Sequence, residues 1–294
     1  QQEWLNHERA SKLRAQLQLQ HETLILQNVR HPSIVRLLGF NIHRLIVLLE
    51  FISLGHLESY MMKGSGSFAL KKDQYELKSP KLEVRIALDI ASAMCYLHQI
   101  KPAILHRDLS ANNIMLESLD TDAQVVAKLV DFGTASFIGK TGLGSYNNEK
   151  RYCLSPEVIQ GRDHSYKSDV YSFAILMWQL WTGSFAHGLN PKEILRGCRP
   201  STDFTPPHWE SVNADIRNEF VQLMQNSWDP NPEMRPNFGA ILSRLVSIGS
   251  ALGLSEKVLE RFKAPVETDT NEELPDGHSW VAWQDRLILS ISSQ

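Results

Sequence analysis

Asp108, Asn113 and Asp131 are the residues of this chain whose types and spacing could do chemistry. Asp108 and Asn113 lie in the run His106-Arg-Asp-Leu-Ser-Ala-Asn-Asn113, and Asp131 opens Asp131-Phe-Gly133, eighteen positions after Asn113. A carboxylate such as Asp108 can accept the hydrogen bond, and then the proton, of an acceptor hydroxyl. An amide oxygen and a second carboxylate are hard donors, the kind that a small divalent cation takes in an octahedral array. Either motif alone carries little weight, because an acidic turn produces Asp-Phe-Gly by chance. The two together, in this order and each beside an apolar run, carry a great deal.

Together they resemble the catalytic loop and the metal-binding loop of protein kinases, over about residues 20–250. The resemblance implies a bilobal α+β fold, with a partial β-rich small lobe and a mainly helical large lobe. It implies ATP and Mg2+ as cofactors, a protein substrate, and phosphoryl transfer by positioning and charge neutralisation rather than covalent catalysis. Asp108 would be the catalytic base, with His106 and Arg107 beside it in the same motif, and Asn113 and Asp131 would hold the metal. Glu22 would hold a lysine against the nucleotide phosphates. Leu49 would close the back of the adenine pocket, the backbone of Glu50 and Ile52 would meet the adenine edge, and Met115 would lie beneath the ring. His106 and Phe132 would stack with Leu26 and Leu37 in an apolar column between the lobes. Arg107 would pair with a phosphorylated activation loop, for which Thr141, Ser145 and Tyr146 are the candidate switch sites.

The elements that must position these groups follow from periodicity. Residues 1–30 read as a helix, with Leu13, Leu17, Leu24 and Leu26 among polar residues and Pro32 as the stop. Glu22 and Leu26, four apart, share a face. Ile34–Phe40 and Leu45–Phe51 read as paired strands joined by the turn Asn41–Arg44. Residues 63–80 read as a loop insertion ending in Ser79-Pro80. Leu82, Ile86, Ile90, Ala93 and Leu97 predict a long amphipathic helix leading to the His106 loop. The run from Ser168 to Gly183 is apolar nearly all round and predicts a buried central helix, with Ser168 as its N-cap. By the same resemblance, Asp169 would accept hydrogen bonds from the catalytic-loop backbone, and Glu157 of Ser155-Pro-Glu157 would pair with Arg235. The domain reading is 1–52 for the partial small lobe, 53–253 for the large lobe, and 254–294 for a linker and tail. Within the tail, Glu267–Asp276 is acidic and linker-like, and Trp280–Ile291 turns apolar again.

Composition narrows the class. The chain has 294 residues, 43% of them hydrophobic, and a formal net charge of −3. That length supports one large domain or two lobes. The slight acidity gives no reason to expect a nucleic-acid partner. The three cysteines, Cys95, Cys153 and Cys198, are odd in number and far apart, which fits a reducing, cytoplasmic setting and neither a zinc site nor a disulfide framework. No apolar run approaches the ~20 residues of a membrane span.

Three departures bear on activity. No Gly-x-Gly-x-x-Gly precedes Glu22, and Lys12 has no alternating apolar neighbours that would make it a strand lysine. The first strands are therefore expected before Gln1, the chain being a piece of a longer protein; alternatively, the protein never had them. Ser110 stands where serine/threonine kinases carry a lysine, and Ser110-Ala111-Asn112 also differs from the tyrosine-kinase pattern. Glu149-Lys150 replaces the usual Gly-Thr. Overall the chain resembles the tyrosine-kinase-like group, which mostly phosphorylates Ser and Thr. The alternative is a pseudokinase scaffold that uses the fold to hold partners.

Overall fold

The first element is a long helix, α1 (Gln2–Gln27). Its last turns enter the core: Leu24, Ile25 and Leu26 are buried, as is Val29 just beyond, whereas Leu13 stands in solvent rather than on the apolar stripe. The helix stops short of Arg30 because side chains fold back onto its last carbonyls. Asn28 donates to Leu24 O at 2.6 Å, and Arg30 Nη1 to Leu26 O at 3.2 Å and Val29 O at 3.0 Å. This computed structural model describes residues 2–41, 44–61, 78–138, 153–184 and 189–263.

Two antiparallel strands follow, β1 (Leu37–Asn41) and β2 (Ile46–Leu49), with Leu37 opposite Leu49 and Phe40 opposite Val47. They are shorter than the two apolar runs. Ile34 and Val35 serve a different purpose: Ile34 bridges Leu129 and Val35 N donates to Leu129 O at 3.0 Å, tying the small lobe to the large one. Asn41 belongs to β1 rather than to the turn, and its Oδ1 accepts Arg44 N at 2.9 Å.

The large lobe begins with the short α2 (Glu58–Met61) and the central α3 (Pro80–Gln99), whose N-cap Ser79 accepts Leu82 N. All five apolar positions read from the sequence are buried. The helix is not amphipathic, however, because Glu83, Arg85 and Asp89 are buried as well. Each is paired, as buried charge must be. Arg85 meets Asp89 at 2.6 Å, Asp89 accepts Val126 N and Ala127 N, and Glu83 accepts the Trp209 indole at 2.6 Å. Four short strands then frame two loops. β3 (Ile104–Leu105) pairs with β6 (Ser136–Phe137), and β4 (Ile114–Leu116) pairs with β5 (Ala127–Leu129). The His106–Asn113 run connects β3 to β4, and Asp131-Phe-Gly connects β5 to β6.

The remaining helices are α4 (Pro156–Ile159), α5 (Tyr166–Thr182), α6 (Pro191–Leu195), α7 (Ala214–Ser227), α8 (Phe238–Ala251) and α9 (Glu256–Lys263). The central helix α5 is buried as expected, but its N-cap is Ser165, not Ser168. Ser168 sits at the third helical position and its hydroxyl accepts Ser165 N at 2.9 Å, closing a capping box. Packed structure continues past residue 253: Leu254, Val258, Leu259 and Phe262 are buried around α9. Gly249 on α8 makes room for this, since a Cβ there would come within 2.8 Å of Leu254 Cδ1 and 3.3 Å of Leu259 Cδ2. Gly249→Val is expected to overpack this seam and cost about 1–3 kcal/mol, read as a lowered urea midpoint. An unchanged midpoint would show that the seam yields freely.

Candidate active site

Asp169, at the first turn of α5, organises the loop that carries Asp108. Its buried carboxylate accepts His106 N at 3.0 Å and Arg107 N at 2.9 Å, and His98 Nε2 lies 2.9 Å from it. These bonds hold Arg107 at φ 70°, a left-handed conformation that costs a non-glycine residue energy and persists only when surroundings over-determine it. Burial pushes the Asp169 carboxyl up, but the hydrogen bond and charge of His98 and the Arg107 N–H outweigh it, and the net direction is down. A depressed folded pKa adds stability above the unfolded value and loses it as pH falls through the folded one. Asp169→Asn is expected to remove that acid-side dependence and to speed amide exchange at His106 and Arg107. Unchanged exchange there would contradict the anchoring role.

Asp108 and Asn113 are held together across the loop. Asn113 Nδ2 donates to Asp108 O at 2.7 Å and to Asp108 Oδ2 at 2.8 Å. Residues 111–113 form a 3-10 turn, which brings Asn113, five positions on, back over Asp108. Asp131 also has a positive φ, 62°, and its Oδ1 accepts Gly133 N at 3.1 Å. A Cβ at Gly133 would come within 2.7 Å of Gln18 Nε2, the far end of a flexible side chain that can move aside. The negative charges of Asp108 and Asp131 both act on the buried imidazole of His106, whose pKa burial lowers. His106 packs edge-on against Phe132 at 5.2 Å between ring centroids, and Leu26 is buried nearby in the same core while Leu37 is half-buried. Thr134 Oγ1 donates to His106 O at 3.3 Å, which joins the two loops directly.

Glu22 reaches the Asp131 segment, but its observed partner is backbone: Oε1 accepts Phe132 N at 3.4 Å. Burial, and then the charge of Asp131, push its carboxyl up. One residue earlier, His21 Nε2 meets Ala135 O at 2.5 Å. Helix α1 is thus fastened to the Asp-Phe-Gly segment at two consecutive residues.

At residues 50–57, the stretch that resembles the hinge between kinase lobes, Ile52 is buried, and Leu49 just before it ends β2 half-buried. Glu50 N donates to Arg36 O at 3.0 Å, so of the backbone groups expected at an adenine edge this N–H is committed to the sheet. The Glu50 carboxylate instead takes Lys128 Nζ at 2.7 Å and Arg36 N at 2.9 Å. Met115 lies in β4 opposite Lys128 and is half-buried. Thr141, Ser145, Tyr146 and Glu149-Lys150 lie outside the described residues. Farther along, Arg235 grips Glu157 with two hydrogen bonds, 2.6 and 3.0 Å, and both side chains are buried.

Sequence reasoning missed His98, Lys128 and His21. Lys128 is a single polar residue in an apolar stretch, which is a signal, but one that gives no partner, and His98 stands beside Gln99 at the end of α3 without any motif. His21 stands beside Glu22 without any motif.

The chain is similar to known proteins. The chain matches the family described as protein tyrosine and serine/threonine kinase over residues 5–245. It is 34% identical over 253 residues to the probable serine/threonine-protein kinase gdt4 of Dictyostelium discoideum, covering 84% of this chain and 14% of that protein. It is 32% identical over 248 residues to the cyclic GMP-binding protein C of the same organism, covering 81% of this chain and 9% of that protein. With the serine/threonine-protein kinase STY17 of Arabidopsis thaliana it shares 27% identity over 244 residues, 80% of this chain and 38% of that protein. The chain therefore spans a minor part of each of these relatives, and with the family match across most of its length it belongs to the protein tyrosine and serine/threonine kinase family.

Proposed function

We propose that this chain supplies the catalytic loop of a protein kinase of the tyrosine-kinase-like group that transfers the γ-phosphate of ATP to a serine or threonine hydroxyl of a protein. The observation that carries this reading is the Asp108–Asn113 pair on a loop anchored by Asp169, joined through Thr134 to the Asp131 segment. Asp108 accepts the hydrogen bond of the acceptor hydroxyl, orients its oxygen, and takes the proton as that oxygen bonds to phosphorus and the bond to the β-phosphate oxygen breaks. Asn113 fixes the carboxylate with its amide NH2. One carboxylate and one amide oxygen fit Mg2+, which keeps waters and phosphate oxygens in its other positions. Asp131 and the Asn113 Oδ1 would hold it, and when bound it neutralises phosphate charge. Leu49, Ile52, the Glu50 carbonyl and Met115 would frame the adenine. Arg107 would pair with a phosphorylated activation loop at Thr141, Ser145 or Tyr146.

The buried Glu157–Arg235 pair favours a protein acceptor, because small-molecule phosphotransferases lack a segment closed in this way. Free cysteines, two of them buried, suit a reducing cytoplasmic setting. Among the described residues no helix is long and apolar enough to cross a membrane.

A pseudokinase scaffold is the second reading. It is favoured by a Glu22 carboxylate that accepts Phe132 N. We rank it second because a scaffold has no physical need for Asp108, Asn113 and Asp131 together. The 294-residue chain alone is expected to bind nucleotide weakly and to transfer little phosphate. The test is Asp108→Asn in a protein that also carries a lysine strand ahead of α1. Transfer should fall about 10²–10⁴-fold with nucleotide affinity unchanged. Transfer that survives the change would remove Asp108 from its role.

A further inference from the structure

A cleft of about 380 Å³ opens behind the hinge, between the end of α1, the segment leading into β1, Glu50 and β5. Its walls carry Arg30, Arg36 and Lys128 against one carboxylate, Glu50, over a floor that includes buried Ile34 and Val35. Lys128 spans the cleft to Glu50 at 2.7 Å, whereas Arg30 and Arg36 are exposed at its rim. The last turn of helix α9 acts electrostatically on its wall through Arg261. Arg261 donates to Ala123 O at 3.4 Å, and burial together with the Arg261 charge pushes His31, which lines the cleft, down to about 4. The cleft is therefore an excess of fixed positive charge with a neutral imidazole in its wall.

The chain that leaves α9 at Lys263 carries the opposite charge. Glu267, Asp269, Glu272, Glu273 and Asp276 follow, with no lysine or arginine before Arg286. At ~3.3–3.6 Å per extended residue, Glu267 lies within about 14 Å of Lys263 and Asp276 within about 45 Å. We propose that the acidic segment 267–276 of this chain docks in the cleft behind the hinge, its carboxylates on Arg30 and Arg36 and in competition with Glu50 for Lys128. Each exposed ion pair is weak by itself, but the short tether gives the segment an effective concentration on the order of millimolar. The cleft is walled by the helix that carries Glu22, the hinge, and the strand that runs into Asp131. A segment seated there bridges these three elements and restrains them against one another.

Amide exchange on the full chain tests this without reference to catalysis. At low salt, amides 267–276 should exchange about tenfold or more slowly than in a free peptide of the same sequence, and at the peptide rate in high salt. Arg36→Glu should release the segment. So should replacement of its five acids by amides, which leaves every described residue unchanged. Exchange at the peptide rate in the unaltered chain would overturn the proposal. So would protection that persists in both variants, which would place the segment on another surface, or protection that grows with protein concentration, which would place it on a second copy.

Discussion

Arg235→Met should lower the melting temperature of this domain by roughly 10 °C. Arg235 is buried and holds Glu157 through two hydrogen bonds, while its remaining donors reach Asp229 O at 2.8 Å and Lys167 O at 2.8 Å. Lys167 Nζ returns a bond to Arg235 O, and the guanidinium lies 5.2 Å from the Tyr171 ring centroid. The substitution keeps the bulk of the side chain but leaves Glu157 and two carbonyls without their donor. Stranding one half of a buried pair costs about 3–5 kcal/mol, and each kcal/mol moves the melting temperature of a domain this size by about 2–4 °C. Differential scanning calorimetry reads the shift. The pair also sets a pH dependence. Burial pushes the Glu157 carboxyl up, but the Arg235 hydrogen bond and charge more than offset it, so its folded pKa lies below the usual range. The stability it contributes is present above the unfolded value and lost as pH falls through the folded one. Arg235→Met should flatten that acid limb. A melting temperature within two or three degrees of the unaltered protein would mean that the pair is not what closes the segment.

Asp131→Asn should have opposite effects on binding and on stability. As a proposed metal ligand, Asp131 brings the carboxylate that the site needs. Its loss should weaken Mg2+-dependent nucleotide binding about 100-fold, the equivalent of the ~3 kcal/mol of a strong charged contact. Yet the Asp131 charge also burdens Glu22, whose carboxyl burial and Asp131 both push up. A carboxyl with a raised folded pKa costs stability at neutral pH and returns it as pH falls. Removing the neighbouring charge should therefore move the Glu22 titration down towards its ordinary value and leave the melting temperature equal or higher. Carboxyl NMR and isothermal titration measure the two effects separately. An unmoved Glu22 titration would show that the two carboxylates do not interact, and unchanged nucleotide affinity would remove Asp131 from the metal site.

What was legible in the sequence were features with fixed spacing or periodicity. The five-residue step from Asp108 to Asn113 is a short-range geometry, so the sequence carries it whole. Residues 82–97 announce a helix with one buried face through apolar periodicity, and α5 announces a fully buried one through the near absence of polar residues. What escaped was pairing across long separations. Nothing near Glu50 indicates Lys128, 78 residues away, and nothing near His98 indicates Asp169, 71 residues away. The N-cap of α5 was misread because Ser165 and Ser168 are both good caps, and only backbone dihedrals distinguish the cap from its reciprocal partner. The polar residues on α3 hid its full burial, since a buried Glu83 or Arg85 is tolerated only through partners that the helix itself does not contain. The Glu22 bond to Phe132 N was equally unreadable, because a resemblance supplies the family's usual partner for a side chain and not the one that this chain offers.

The most direct measurement is transfer of γ-labelled phosphate, followed by phosphoamino-acid analysis, with a protein in which a strand lysine precedes α1. The account predicts magnesium-dependent label on serine or threonine of a protein acceptor. Nucleotide and metal bound without transfer to any protein hydroxyl, while protein partners still associate, would contradict it and leave the scaffold.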